Sequence, residues 1–291
     1  MVNVIFGINT PVSKWLLTEK LSAQLHTYLR MLVACALFWL FSAFVKSEKV
    51  APRDMALLFL CAFCGLAMNQ FLFVSGLSMT SPVDASVIVT STPIFVMVFS
   101  ALVLKEPISV LKVTGVFSGA AGAVWLILSA GGGSGGGGSV LGDVLALSSS
   151  FIYSIYFVIA KPLSQKYSAC TMMKWMFLFS VLILAPFCGP SLFDPASVKG
   201  AIDAKALAAC AYVFVGATFL AYLLIPMAIK RIRPTTASMY NYLQPVVASV
   251  IAVFAMGSGF GAQKFAASLL IFLGVYLVTQ SRARRDVGRD A

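Results

Sequence analysis

Charge is what this sequence has least of. Only 11% of its 291 residues are Asp, Glu, Lys or Arg, less than half of the roughly 25% found in an ordinary soluble domain. With 60% hydrophobic residues, the chain cannot hide its apolar surface in one water-soluble core, so lipid must solvate part of it. Acids are the scarcest charge: ten Asp and Glu stand against 21 Lys and Arg. His26 is the single histidine. Without a histidine pair there is no His–Glu metal centre, and Asp84 and Asp143 are the only acids near the outer face within or beginning spans, so neither a metal nor a cofactor is expected. The six cysteines lie inside or at the ends of apolar runs. Cys61-x-x-Cys64 has no second pair to complete a zinc or redox motif and reads as packing. The amino terminus lacks a basic n-region and a small-residue cleavage site, which argues against a cleaved leader. The net charge of +11 is spread between apolar segments, not clustered, which argues against a nucleic-acid surface.

Long apolar runs, in contrast, fill the chain. A membrane-crossing helix needs about 20 mostly apolar residues. Ten segments qualify: roughly 2–18, 25–45, 55–77, 82–104, 108–129, 140–160, 169–189, 205–229, 234–256 and 264–281. The first is short and has no polar cap before it, as though the chain began inside the helix. The tract GGGSGGGGS at 131–139 divides the ten into two fives and behaves as a flexible tether.

The halves share a weak repeat. Residues 82–96 read PVDASVIVTSTPIFV and residues 234–248 read PTTASMYNYLQPVVA. A shift of 152 places Pro82 on Pro234, Ala85 on Ala237, Ser86 on Ser238 and Pro93 on Pro245. The first copy follows the uncharged SMTS and the second follows KRIR. Lys and Arg concentrate in short cytoplasmic loops, so the two copies enter the bilayer from opposite sides. With the amino terminus inside, 14 Lys and Arg fall on the cytoplasmic side and four outside; Lys14, Arg30 and Lys174 lie within spans. Inverted repeats of this kind build many secondary transporters.

Polar groups at membrane depth are costly unless they face a partner or a water-filled cavity. Asn9, Asn69, Thr92, Tyr153, Tyr222, Asn241 and Gln244 fall towards the middle of their spans and are the candidate substrate-binding residues. Pro11, Pro93 and Pro245 interrupt three helices at similar depth, each freeing a carbonyl. Simple helix-to-helix hydrogen bonding is the other reading of any one of them. Lys14 and Asp84 share a level near the outer face and are expected to pair. Lys14 and Arg30 can also snorkel to the interface, and a sharper reading makes them an anion-attracting outer vestibule. His26 reads as an interfacial residue. Gly115-x-x-x-Gly119 with Gly122 marks a close helix contact, within the chain or between copies, for a monomer or a weak homodimer.

Within that frame, FGINTPVSK at 6–14 resembles the opening helix of EamA-type members of the drug/metabolite transporter superfamily. GDVLALSSSFIYSIYFVIAK at 142–161 resembles the matching helix of a second repeat, with Phe6 on Tyr153, Asn9 on Tyr156 and Lys14 on Lys161. VIVTSTPIFVMVFSALVLKEPIS at 87–109 is also similar, with its mid-helix proline and its Glu-Pro past the helix end. Two features depart from the pattern. Gly257-Ser258 stands where the first repeat has Lys105-Glu106, and the first helix lacks its usual amino-terminal extension. The resemblance implies an all-α integral membrane fold, ten transmembrane helices as two inverted five-helix repeats. These span 1–130 and 140–281, joined by an external loop at 131–139 and followed by a basic cytoplasmic tail at 282–291. It implies a multi-pass exporter in the bacterial inner membrane, with both termini cytoplasmic. The substrate would be a small metabolite, such as an amino acid or a related zwitterion or anion, carried by alternating access around a central cavity. The partners would be that solute and the lipid bilayer. A membrane-embedded enzyme, or a channel or scaffold, remains the alternative at this point.

Overall fold

The computed structural model describes residues 2–45, 48–80, 85, 88–127, 139–244, 246–247 and 262–286. Asp84, Pro245 and the glycine-rich tract at 131–138 lie outside the described residues. Among the described residues the regular structure is helical apart from one antiparallel bridge, Leu21 to Val198. The helices are α1 (Val2–Glu19), α2 (Ala23–Ser42), α3 (Pro52–Ala62), α4 (Met68–Met79), α5 (Thr92–Val103) and α6 (Val110–Ile127). They continue as α7 (Val140–Lys166), α8 (Ala169–Cys188), α9 (Ala204–Ala211), α10 (Ala221–Arg231), α11 (Pro234–Met239) and α12 (Ala262–Asp286). A π-helical turn at Phe63–Ala67 joins α3 to α4, and another at Tyr212–Leu220 joins α9 to α10. Among the described residues five stretches are long and apolar enough to cross a membrane: Ala23–Ser42, Pro52–Met79, Val140–Lys166, Ala169–Leu192 and Ala204–Arg231. Thr92–Val103, Val110–Trp125 and Phe265–Ser281 are shorter apolar helices.

Local chemistry sets where these helices begin. Ser22 caps α2 by accepting from Leu25 N–H, and Ser168 caps α8 by accepting from Thr171 N–H. Each satisfies a donor left open by the first helical turn. Pro52 and Pro234 start α3 and α11, where a missing N–H costs nothing. The bounds also recur between halves. Adding 152 carries Pro52–Met79 onto Ala204–Arg231 and Val110 onto Ala262, while the capping serines are 146 apart.

Two helix crossings are too close for any residue but glycine. A Cβ on Gly76 would lie 2.7 Å from the carbonyl oxygen of Gly142, locking α4 to α7. On α6 and α12, a Cβ at Gly115 would meet Gly274 O at 2.8 Å, and one at Gly122 would meet Ala267 O at 2.8 Å. Ser118 Oγ donates to Leu270 O at 3.3 Å between these points. The Gly115, Gly119 and Gly122 stripe is therefore used inside the chain, where dimerisation was the other expectation. The main core joins α2, α3, α4, α7, α8 and α10 through side chains such as Met31, Phe38, Leu66, Phe177 and Ile225. Phe44, Leu102 and Phe193 stand exposed, as expected of side chains solvated by lipid.

Lysines tie helix ends together. Lys14 Nζ donates to Leu77 O at 2.7 Å, Ser78 O at 3.4 Å and Thr80 O at 3.0 Å. Lys14 thus caps the carboxyl end of α4, where backbone carbonyls carry partial negative charge. Its expected pairing with Asp84 lies outside the described residues. Lys161 Nζ repeats the pattern on α10, donating to Ile229 O at 2.6 Å, Lys230 O at 3.3 Å and Ile232 O at 2.9 Å. The three acceptors of Lys161 are those of Lys14 plus 152.

Further polar ties close both ends. Lys20 pairs with Asp203 at 3.8 Å beside the Leu21–Val198 bridge. Asp203 caps α9, and its bond from Ala206 N–H holds its carboxyl below the usual range. At α8, Glu48 accepts from Ser168 N–H and Oγ, each at 2.9 Å. Partial burial pushes the Glu48 carboxyl up, but bonds from Thr171 and Ser168, with Lys230 nearby, outweigh it and hold the group below its usual value. Glu106 is bound at 2.6 Å by Lys112, and Thr235 Oγ1 donates to the same carboxylate oxygen at 3.0 Å. Lys112 is buried and Glu106 largely so.

Of the prolines, one needs correction. Pro11 lies inside an uninterrupted α1, so it does not break that helix. Ile88 and Val89 are helical, Thr90–Ser91 form a turn and α5 opens at Thr92 with Pro93 in its first turn, so the helical path is interrupted just ahead of Pro93.

Candidate binding site

A π turn carries one residue more than an α turn and rotates everything after it. Asn69 and Gln70 follow the first π turn, and Tyr222 follows the second. Asn69 Nδ2 donates to Ser149 O on α7 at 3.2 Å, and its Oδ1 accepts from Gln70 Nε2 at 3.1 Å. The same Gln70 nitrogen donates to the Tyr222 hydroxyl at 2.6 Å. Phe6 and Phe177 pack edge-on against the Tyr222 ring, with centroids at 6.1 and 5.7 Å. Two predicted residues, Asn69 and Tyr222, are thus joined through a third that sequence reasoning missed. One signal was available: Gln70 and Tyr222 are themselves 152 apart.

The remaining predicted residues make local contacts around this strip. Tyr153 is half-buried and stacks on Tyr156, centroids 5.6 Å apart. Tyr156 in turn covers Gly65, where a Cβ would fall 2.5 Å from its ring. Buried Thr92 accepts through its carbonyl from Ser154 Oγ at 3.2 Å. Asn9 is buried, and its Oδ1 accepts from Ser13 Oγ at 3.2 Å along α1 itself. Gln244 Nε2 donates to Asn3 Oδ1 at 3.3 Å, and its carbonyl abuts Gly7. Asn241 is half-buried. Among the described residues, hydrogen bonds connect Asn69 to Tyr222 and leave Asn9, Asn241 and Gln244 outside that chain.

The basic residues of α2 overturn the interfacial expectation. Arg30 is 2% exposed and His26 is 0% exposed. Arg30 does not snorkel: its Nε donates to Thr218 Oγ1 at 2.9 Å, and that hydroxyl donates to Val213 O at 2.7 Å. A partner 188 residues away cannot be seen from depth and side-chain length alone.

A pocket of about 330 Å³ opens elsewhere, between the end of α7, the start of α8 and α10, lined in part by Ser164, Tyr167, Ser168, Pro226 and Lys230. Among the described residues no three His, Cys, Asp or Glu side chains converge in a way that could hold a metal.

Comparison with known proteins follows the same two-part division. The model of the EamA-like transporter family matches residues 1–128 and again 140–280. A protein of Archaeoglobus fulgidus named an uncharacterized transporter is 25% identical over 87% of this chain and 87% of its own length. The uncharacterized inner membrane transporter YicL of Salmonella typhimurium is 21% identical over 97% of this chain and 94% of its own. A WAT1-related protein of Arabidopsis thaliana is 24% identical over 84% of this chain and 67% of its own. One crystal structure superposes with a TM-score of 0.78 at 21% identity, covering 97% of this chain and 96% of that one. The likeness extends to the fold.

Proposed function

We propose, from the premise that this chain belongs to the EamA-like transporter family, that it exports small metabolites by alternating access. The family and its relatives are membrane transporters, a class that catalyses no reaction. Beyond that class, our reading is ten helices in two inverted five-helix repeats, 1–130 and 140–281, with the tract at 131–139 outside. Both termini and the basic tail at 282–291 face the cytoplasm of a bacterial inner membrane. The protein acts as a monomer or a weak homodimer. Its solute is an amino acid or a related zwitterion or anion, held by Asn69, Gln70 and Tyr222 with Asn9, Thr92, Tyr153, Asn241 and Gln244 around them.

One observation carries this reading: the Asn69–Gln70–Tyr222 strip is buried, polar and shared by both halves. Such groups at membrane depth mark solute paths. The matched lysine caps, Lys14 with Lys161, support a two-fold relation between the halves.

Purified protein in liposomes tests it. Saturable flux with counterflow is expected for one or more amino acids or organic anions. Tyr222→Phe removes the hydroxyl that Gln70 binds and should cut flux roughly ten- to hundred-fold, with little loss of folded protein. Non-saturating flux would instead mark a channel. A Tyr222→Phe protein that melts early yet transports normally would leave the strip a structural feature only. For topology, a cysteine at the exposed position Arg53 should resist an impermeant reagent in intact cells, while one at Ser134 should react. The reverse result would invert the assignment.

A further inference from the structure

Among the described residues Arg30 is a buried charge without an opposite charge beside it. A guanidinium keeps its proton at any physiological pH, so its burial calls for an anion. Among the described residues none of the carboxylates pairs with it. Its bonded partner is the neutral Thr218 hydroxyl, which takes only Nε. Arg30 lies seven residues into α2, roughly 10 Å from the helix end at 1.5 Å per residue.

His26, one turn earlier on the same helix, is fully buried with neither ring nitrogen bonded among the described residues. Tyr222 stands four residues beyond Thr218, the Arg30 partner, on the same helical stretch. The Tyr222 hydroxyl accepts from Gln70, which leaves its own proton undirected. Neutral His26 brings one donor and one acceptor, and Gln70 Oε1 is a buried acceptor without a partner among the described residues, so the excess of donors lies in the Arg30 guanidinium itself.

The fold itself does not require this charge. On the 146 offset of the capping serines, His26 and Arg30 correspond to Met172 and Met176 of α8. On the 152 offset, Thr218 corresponds to Leu66. All three counterparts are fully buried members of one apolar core. The same packing position is therefore filled in one half by thioether and isobutyl groups, and in the other by a guanidinium, an imidazole and a hydroxyl.

The structure assigns Arg30 as the anchor for a carboxylate or similar oxyanion on the transported solute, with Tyr222 as a second donor and Thr218 holding the guanidinium in place. This inference rests on the transporter reading above and narrows its solute to one bearing an anionic group. Arg suits the role because its planar fork binds a carboxylate through two N–H groups.

The test uses the full-length protein in detergent and in liposomes. The probes are L-leucine, L-phenylalanine, L-glutamate and succinate, each beside its amide analogue lacking the carboxylate. A ligand of the folded state raises the melting temperature by mass action. At least one carboxylate should stabilise the wild type where its amide does not. Arg30→Met should weaken that carboxylate roughly ten- to hundred-fold, while Arg30→Lys should retain part of the binding. The ligand-free Arg30→Met protein should be as stable as the wild type or more so, because methionine fills the counterpart position. Loss of stability in ligand-free Arg30→Met, unchanged carboxylate binding, or no carboxylate-specific stabilisation anywhere in the panel would each overturn the assignment. Equal flux of acids and amides would remove the anchor and leave the transporter reading intact. Arg30-dependent binding without saturable flux would keep the anchor and remove the transporter reading.

Discussion

Placing a methyl group on Gly274 is the sharpest probe of the α6–α12 crossing. Its Cβ would lie 2.6 Å from Gly115 O, 2.6 Å from Gly119 N and 2.8 Å from Gly119 Cα. All three atoms are backbone, so no side chain can swing aside. Ordinary contact begins near 3.4 Å, so the helices must separate by about 0.8 Å, from 2.6 to 3.4 Å. Separation would loosen the packing of Val116, Ile271 and Val278, which are buried in the same seam. Overpacking of this kind costs about 1–3 kcal/mol, against which the helix propensity of alanine recovers about 0.5–1 kcal/mol. Gly274→Ala should therefore lower the thermal unfolding temperature of the purified protein. Gly216→Ala is the control, since its Cβ would meet only the Tyr212 ring at 3.6 Å and should be neutral or stabilising. The protein should remain at its wild-type oligomeric size in both variants, because the seam is internal. Equal stability of the two variants, or a change of oligomeric size in Gly274→Ala alone, would refute the reasoning.

Three further outcomes are expected. Lys14→Met and Lys161→Met should each destabilise by about 1–3 kcal/mol by leaving helix-end carbonyls without a charged donor; chemical unfolding of both would expose a mismatch if one proved inert. Glu106→Gln should cost about 3–5 kcal/mol because Lys112 stays buried without its partner, and adding Lys112→Met should recover part of it; a single variant as stable as the wild type would sink this account. The folded pKa of Glu48 is depressed, so its contribution is present above its unfolded value of about 4.3 and fades as pH falls through the folded one. Glu48→Gln should thus lose up to about 1 kcal/mol near neutral pH, allowing for solvent screening, and match the wild type in acid; a melting difference that persists at low pH would contradict the sign.

Helix positions were legible because lipid demands long apolar windows, and the bounds of α2, α7 and α8 fall close to those windows. Which residues face each other was less legible. Two π turns shift the helical register by a residue, so Gln70 faces Tyr222 although an unbroken 3.6-residue period offers no way to choose it over Asn69. Backbone acceptors were invisible: nothing in the sequence shows that three carbonyls at the end of α4 accept from Lys14. Arg30 was misjudged because side-chain length suggests an escape to the interface. The decision instead rests with Thr218 on a distant helix. Proline was read as a breaker, and its effect differs by place: α1 runs unbroken through Pro11, whereas a turn at Thr90–Ser91 precedes Pro93.

The bond between Gln70 and Tyr222 has a geometric consequence for the proposed cycle. If the two halves swap conformations when the transporter turns from one side to the other, a contact between i and j becomes a contact between their counterparts. Gln70 and Tyr222 are each other's counterparts, so the swap maps their contact onto itself. Ser118 and Leu270 share the property. On that proposed cycle these contacts would be the fixed points about which the halves rock. The close approach of Gly7 to Gln244 has its image in the Ser154 bond to Thr92, and both are made at once in this structure. A crosslink across residues 70 and 222 would on that cycle leave the rocking free.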